Sequence, residues 1–201
     1  MAPLLEYDEQ SLVRQLSRLP APARSAFAAA CAERLLPAYE HYCASGPPID
    51  PQAVGKVLAK VWNFANGGKV SELTEDAVFL TDAITSDDDD DGKYADVVAD
   101  DALAATAYAV RSVDHQDARE AAWAARRAYE AVDRFVAKTQ NATSYTPTVE
   151  STILSDDLVQ SELKRQDRDI SLLASADPSE LRNVIVQMRD SSRTESALPL
   201  V

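Results

Sequence analysis

The residues of this chain that could do chemistry are mainly carboxylates, and their densest run is a block of five aspartates closed by a glycine. The block consists of Asp87, Asp88, Asp89, Asp90 and Asp91. Alternate aspartates and Gly92 match the first positions of an EF-hand calcium loop, but the bidentate glutamate that should complete the loop is replaced by Val98. Because blocks of like charge usually stay solvated, the sequence favours an exposed acidic loop that could contact a partner over a metal site.

A second group of polar residues could converge from three parts of the chain. Glu33 and Arg34 form a polar pair inside an Ala-rich helix, Asp101 lies where a second apolar helix begins, and Gln166 lies on a later apolar stripe. A buried carboxylate in such a pocket could act as a general acid or base. The alternative is that Asp101 pairs with Arg34 and joins two helices, since structural ion pairs also perturb carboxylates. We favour the structural pair over the pocket.

Other catalytic or metal-binding patterns are missing from the sequence. Neither His41 nor His115 stands in the Glu-x-x-His motif of di-iron bundles, and there is no multi-ligand zinc pattern, Gly-rich phosphate loop or G-x-S-x-G elbow. Cys31 and Cys43 would lie about 18 Å apart along a helix, too far for a disulfide. We therefore predict reduced thiols, no cofactor, no metal ligand and no catalytic residue. These absences from the sequence favour a non-enzymatic protein over an enzyme.

Trp123 is the residue that looks out of place in a core. It lies about 160° round its helix from the core position Ala125. The charged residues on its side of the helix are Arg119, Arg126, Arg127, Glu130 and Arg134. A tryptophan ringed by arginines is typical of an interface hot spot, so Trp123, Arg126 and Arg127 are candidate interaction residues. The alternatives are burial beneath another helix or the 141–149 loop, and self-association through this face.

The elements that must position these residues are helices. Alanine is abundant, glycine occurs only five times and aromatic residues make up 6% of the chain, which favours helix over sheet. Residues 20–45 are expected to form a long helix kinked at Pro37, central in the fold together with a helix over 94–113. The sequence predicts an all-α, single-domain bundle of about seven or eight helices over residues 1–190. Residues 191–201 are expected to form a flexible tail.

Short motifs also occur in a characteristic order along the chain. Glu33–Tyr39 reads ERLLPAY, Trp62 follows on a helix, Ala99–Leu103 reads ADDAL, and Arg168-Asp169-Ile170 lies on a late helix. These motifs resemble those of a bacterial family known as domain of unknown function 416, the YjaG-like proteins. The resemblance spans most of residues 15–190 and implies an all-helical fold. It implies no activity, because the family has no established one.

The net charge of −13 bounds the choice of partner. Such a surface repels nucleic acid and anionic membranes, and it suits a basic protein. With no signal-like N-terminus and no apolar run of about 18 residues, we expect a cytoplasmic protein outside the membrane. The sequence predicts a non-enzymatic protein-binding module, for example an immunity or antitoxin protein that masks a basic toxin. The alternatives are a small-molecule or enzymatic pocket at Glu33, Arg34 and Asp101, and a homo-oligomer.

Overall fold

Helices make up the regular structure of this chain. The computed structural model describes residues 3–42, 44, 46, 48–69, 73–84, 94–142 and 146–200. In these ranges ten helices follow one another and no strand occurs. They are α1 (Glu9–Leu16), α2 (Ala21–Glu33), α3 (Leu36–Tyr42), α4 (Pro51–Ala65), α5 (Leu73–Asp82), α6 (Tyr94–Asp114), α7 (Ala118–Thr139), α8 (Pro147–Leu154), α9 (Asp157–Ser175) and α10 (Leu181–Thr194). The all-α prediction is confirmed, while the expected number of helices was too low.

The extra helices arise because two segments are divided that the sequence predicts as single helices, residues 20–45 and roughly 150–175. One division separates α8 from α9, where the side chain of Asp156 accepts a hydrogen bond from the backbone N–H of Leu158 and starts α9. Aspartate is a strong N-terminal cap because its carboxylate satisfies a backbone donor that has no partner within the helix. Asp8, Asp50 and Asp117 begin α1, α4 and α7 in the same way.

The other division falls at Arg34 and Leu35, between α2 and α3, where a kink was expected. Pro37 has no N–H and cannot continue the hydrogen-bond ladder of α2. The chain tightens instead, and the N–H of Leu35 donates to the carbonyl of Ala32 at 3.0 Å. The break leaves the carbonyl of Arg34 free to accept the N–H of Ala197 at 2.8 Å, so it becomes a docking point for the C-terminal segment.

The centre of the molecule is formed by α2 and α6. α2 packs against α4, α6, α7, α9 and α10, and α6 packs against α3, α4, α5 and α7 as well. The consecutive alanines 28–30 of α2 are completely buried, as are Ala26 and Ala32. Small side chains at such contacts let helix axes come close together. No helix in the described ranges is both long and apolar enough to cross a membrane.

The expectation of a flexible tail over residues 191–201 was wrong for the residues that the structure describes. α10 continues to Thr194, and Ala197 and Leu198 beyond it are only 1% and 2% exposed. The hydroxyl of Tyr42 donates to the carbonyl of Pro199 at 2.9 Å. The segment is ordered because the division between α2 and α3 offers it both apolar contacts and a free backbone acceptor.

Candidate functional site

A charged cluster lies in the core where α2 meets α9. Arg34 is completely buried, and its Nη1 donates to Oδ2 of Asp169 at 2.8 Å while its Nη2 donates to Oε1 of Glu162 at 3.2 Å. Gln166 donates to the same Oε1 of Glu162 at 2.9 Å and to the carbonyl of Ala125 at 3.0 Å. We call Arg34, Glu162, Gln166 and Asp169 the Arg34 cluster. Its three α9 members lie on one helix face because they are spaced by four and three residues.

Electrostatics favours the charged guanidinium of Arg34 and the neutral thiol of Cys31. Burial acts to lower the pKa of Arg34, but the carboxylates of Glu162 and Asp169 outweigh burial and raise that pKa above its ordinary value. Cys31 accepts a hydrogen bond from Nη2 of Arg34 at 3.5 Å, yet burial raises the pKa of the Cys31 thiol. Because the thiolate is the reactive form, this cysteine is not activated as a nucleophile.

Surface arginines complete the pairing of the two buried carboxylates. Arg165 donates to Oε2 of Glu162 at 3.4 Å, and Arg168 donates to Oδ1 of Asp169 at 2.9 Å. Arg168 also donates to Oε1 of Glu195 in the C-terminal segment at 2.8 Å. The cluster therefore ties α2 to α9 and, through Glu195, to the end of the chain.

The favoured Arg34–Asp101 pair is wrong, and Glu33, Arg34 and Asp101 do not meet in the alternative pocket either. Arg34 pairs with α9, whereas Asp101 of α6 pairs with Arg134 and Arg127 of α7. Glu33 accepts the indole N–H of Trp62 at 2.9 Å and lies 3.3 Å from Nε of Arg193. Glu33 and Arg34 are adjacent and point about 100° apart, so Glu33 meets α4 and α10 while Arg34 meets α9.

Sequence reasoning missed Glu162 and Asp169 as the partners of Arg34. The usable signal was polar residues at helical spacing among the buried apolar positions of α9, such as Leu163 and Ile170. Polar groups at core positions need partners, so these carboxylates required a buried cation. Gln166, a possible member of the alternative pocket with Glu33 and Asp101, lies in the Arg34 cluster.

Trp123 lies at a polar groove between α6 and α7 that encloses about 390 Å³. The groove is lined by Tyr108, Trp123, Arg126, Arg127, Glu130 and Arg134, and we call it the arginine groove. Trp123 is half-buried, with its ring centroid 5.5 Å from that of Tyr108 and its Nε1 donating to Oε1 of Glu9 at 3.3 Å. The tryptophan is thus a wall of the groove and not a fully exposed anchor.

Ion pairs hold the arginines of this groove in place. Nε of Arg126 donates to Oε1 of Glu130 at 2.7 Å, and Arg127 lies 3.4 Å from Glu130 and 3.7 Å from Asp101. Burial raises the pKa of Asp101 to about 6, although Arg134 and Arg127 oppose that rise. Nε of Arg134 is shielded from solvent and has no hydrogen-bond partner among the described residues.

On another side of α7 lies a cavity of about 520 Å³ between the N-terminal segment, α7 and α8. Its polar and aromatic lining consists of Glu6, Tyr7, Tyr129, Asp133, Glu150 and Ser151, and we call it the tyrosine–carboxylate cavity. The rings of Tyr7 and Tyr129 are stacked, with centroids 5.3 Å apart and planes 11° apart. The pKa of Asp133 is raised, first by burial and then by the charges of Glu130 and Glu150. This side of α7 therefore concentrates negative charge next to aromatic rings.

Two further sequence predictions lie where the structure gives no test. The acidic loop Asp87–Asp91 and Cys43 are outside the described residues. Within the described ranges, no group of three or more His, Cys, Asp or Glu side chains could hold a metal ion.

The fold and these sites define an all-α protein whose polar chemistry consists of arginine–carboxylate pairs. Residues 11–197 match the family model described as "Protein of unknown function (DUF416)", and the chain belongs to this family. A crystal structure of a DUF416 family protein from Shewanella baltica OS155 is similar in fold. It has a TM-score of 0.74 and 15% sequence identity, and the match covers 92% of this chain and 97% of that one. The comparison with curated proteins finds no match.

Proposed function

We propose that this protein is a non-enzymatic binding module for a basic protein, and that a lysine or arginine side chain of the partner enters the tyrosine–carboxylate cavity. The observation that carries the proposal is the meeting of Glu6, Asp133 and Glu150 around the stacked rings of Tyr7 and Tyr129. No lysine or arginine is among the described residues that line this cavity. The cavity therefore presents carboxylates that no lining cation pairs with, although Tyr129 donates a hydrogen bond to Asp133 and the charge of Arg134, outside the lining, also acts on it.

The chemistry of the cavity matches an organic cation better than a metal ion. Ammonium and guanidinium groups are attracted both by carboxylates and by the faces of aromatic rings. A volume of about 520 Å³ leaves room for a long side chain together with water. The net charge of −13 would further speed the approach of a basic partner.

The Arg34 cluster supports a binding role over catalysis. Its carboxylates are completely buried and held by arginines, so neither is available to a substrate as an acid or base. An immunity or antitoxin protein that masks a basic toxin is one form of the proposed function, with the cytoplasm as its place of action. A homo-oligomeric scaffold is an alternative to the proposed function, and its only support is the half-buried Trp123. Sedimentation of the purified chain tests this alternative.

The proposal is tested by affinity capture from the source cells, followed by calorimetry with the purified candidate partner. Wild type is compared with Asp133→Asn/Glu150→Gln, which removes two cavity charges. The matched control is Glu40→Gln/Asp190→Asn, which removes two exposed charges elsewhere. We expect a basic protein that binds wild type and control in a defined ratio, and a loss of at least about tenfold in affinity for the cavity variant.

Two results would contradict the proposal. One is equal weakening by the cavity variant and the control, which would reduce the effect to general charge. The other is a specific partner whose binding is unchanged in the cavity variant. Repeating the titration at higher salt checks the electrostatic origin, because screening weakens attraction between exposed charges.

A further inference from the structure

The arginine groove is built by helical spacing on both of its walls. Trp123, Arg127, Glu130 and Arg134 follow one another on α7 at intervals of three or four residues, which places them on one face. On α6, Asp101 and Tyr108 are two turns apart and face α7. The groove therefore brings together three guanidinium groups and two aromatic rings, independently of the tyrosine–carboxylate cavity.

Three carboxylates pair with these arginines, and Glu9 of α1 pairs only with Arg126, at 3.5 Å. The other two, Asp101 and Glu130, have different positions. The Asp101 side chain is only 3% exposed, so it holds Arg134 and Arg127 from beneath the groove. The Glu130 side chain is 24% exposed and lines the groove itself, where it binds Arg126 and Arg127. The carboxylate of Glu130 thus lies inside the arginine groove, at the position where the oxyanion of a ligand could bind.

We propose that the arginine groove binds a small-molecule oxyanion, a carboxylate or a phosphate group, which replaces Glu130 as the partner of Arg126 and Arg127. A guanidinium fork matches two oxygen atoms of either group. Arg134 adds a third guanidinium group to the lining of the groove, with its side chain 35% exposed. The enclosed volume of about 390 Å³ suits a small organic acid or phosphate ester.

The net charge of −13 opposes anion binding at long range, so the affinity depends on these direct contacts. Tyr108 and Trp123 form the aromatic wall of the groove. Arg111 covers the ring of Tyr108 at 4.6 Å and is itself paired with Glu120 at 3.3 Å. The site would consequently respond to the geometry of an oxyanion more than to ionic strength alone.

The test is an NMR titration of the full chain that follows the indole N–H of Trp123 and the Nε–H of Arg127. Inorganic phosphate, phenyl phosphate and succinate are the probes, with sodium chloride at equal ionic strength as the blank. Trp123→Phe assigns the indole signal, since Trp62 gives the other one. We expect a saturable shift with at least one probe, and the tighter probe identifies phosphate or carboxylate as the preferred group.

Three variants separate a site from general charge effects. Glu130→Gln removes the internal competitor and should tighten binding several-fold, whereas Arg127→Gln should weaken it about tenfold. Arg182→Gln, on the exposed side of α10, is the control and should leave the titration unchanged. The proposal is overturned if no probe saturates, if Glu130→Gln weakens binding, or if the control weakens it as much as Arg127→Gln.

Discussion

At the scale of single residues, Arg34 is the most demanding feature of the core. A completely buried guanidinium is tolerated because Glu162 and Asp169 accept its hydrogen bonds at 3.2 and 2.8 Å. Taking charges out of water costs several kcal/mol for each ion. Removing one member of an ion pair therefore leaves the desolvation cost of the other member without the attraction that offset it. The cluster thus specifies how α2 and α9 pack even if its net contribution to stability is small.

Arg34→Met should lower the free energy of unfolding by about 3–5 kcal/mol, because two buried carboxylates lose their central cation. Urea unfolding followed by circular dichroism measures the change. Arg182→Met, on the exposed side of α10, is the matched control and should change stability by no more than about 0.5 kcal/mol.

The same cluster predicts compensation. Adding Glu162→Gln and Asp169→Asn to Arg34→Met removes two buried charges that would keep only the surface arginines Arg165 and Arg168 as partners. The shapes of the side chains are kept, so the triple variant should recover much of the lost stability. A triple variant less stable than Arg34→Met alone would contradict this prediction, because it would show that the two carboxylates remain stabilised without Arg34.

Asp101 predicts a pH dependence with a definite sign. Its pKa is raised from the model-peptide value of 3.8 to about 6 in the folded protein, so the folded state binds its proton more tightly than the unfolded state does. The contribution of Asp101 to stability is therefore largest below pH 4 and is lost as the pH rises towards 6. The difference in unfolding free energy between wild type and Asp101→Asn, measured across this range, should fall with increasing pH. A difference that rises with pH would mean that the arginines dominate and the pKa is lowered.

Among the helices, the division between α2 and α3 determines where the C-terminal segment docks. Pro37 stops α2, the carbonyl of Arg34 becomes free, and Ala197 donates to it while Leu198 packs into the core beside it. Arg168 fixes the same segment through Glu195. The C-terminal segment therefore belongs to the folded core.

Leu198→Ala should cost about 2–5 kcal/mol of unfolding free energy, because it opens a cavity at a residue that is only 2% exposed. Leu200→Ala is the matched control, since that side chain is 49% exposed and should contribute much less. Chemical denaturation of both variants measures the difference. Equal losses, or no loss in either variant, would mean that the segment does not dock in solution.

Local features could be predicted from the sequence, and long-range partners could not. Proline and aspartate act within one helical turn, so the boundary at Asp50 and Pro51 follows from the sequence alone. The partners of Arg34 lie 128 and 135 residues away, and periodicity shows that they are buried without showing what they meet. The docking of Leu198 was missed for the same reason, since a short apolar segment after a helix has no local signal of burial.

At the scale of the whole molecule, α7 separates two surfaces of opposite chemistry. One side carries the arginine groove with Trp123, and another carries the tyrosine–carboxylate cavity with Asp133. The chain has a net charge of −13, so the cavity agrees in sign with the molecule as a whole, and the groove is a local exception. A basic partner and a small oxyanion could thus be bound by different faces of one helix.

An NMR titration of the full chain with hexalysine tests directly whether the tyrosine–carboxylate cavity binds a basic side chain. The salt concentration is about 0.1 M, where long-range charge effects are largely screened. We expect the largest amide shifts at Tyr7, Tyr129, Asp133 and Glu150, and we expect Asp133→Asn/Glu150→Gln to abolish them. Glu40→Gln/Asp190→Asn should leave them in place. Shifts that avoid the tyrosine–carboxylate cavity, or that persist in the cavity variant, would contradict the assignment of this cavity as the site for a basic side chain.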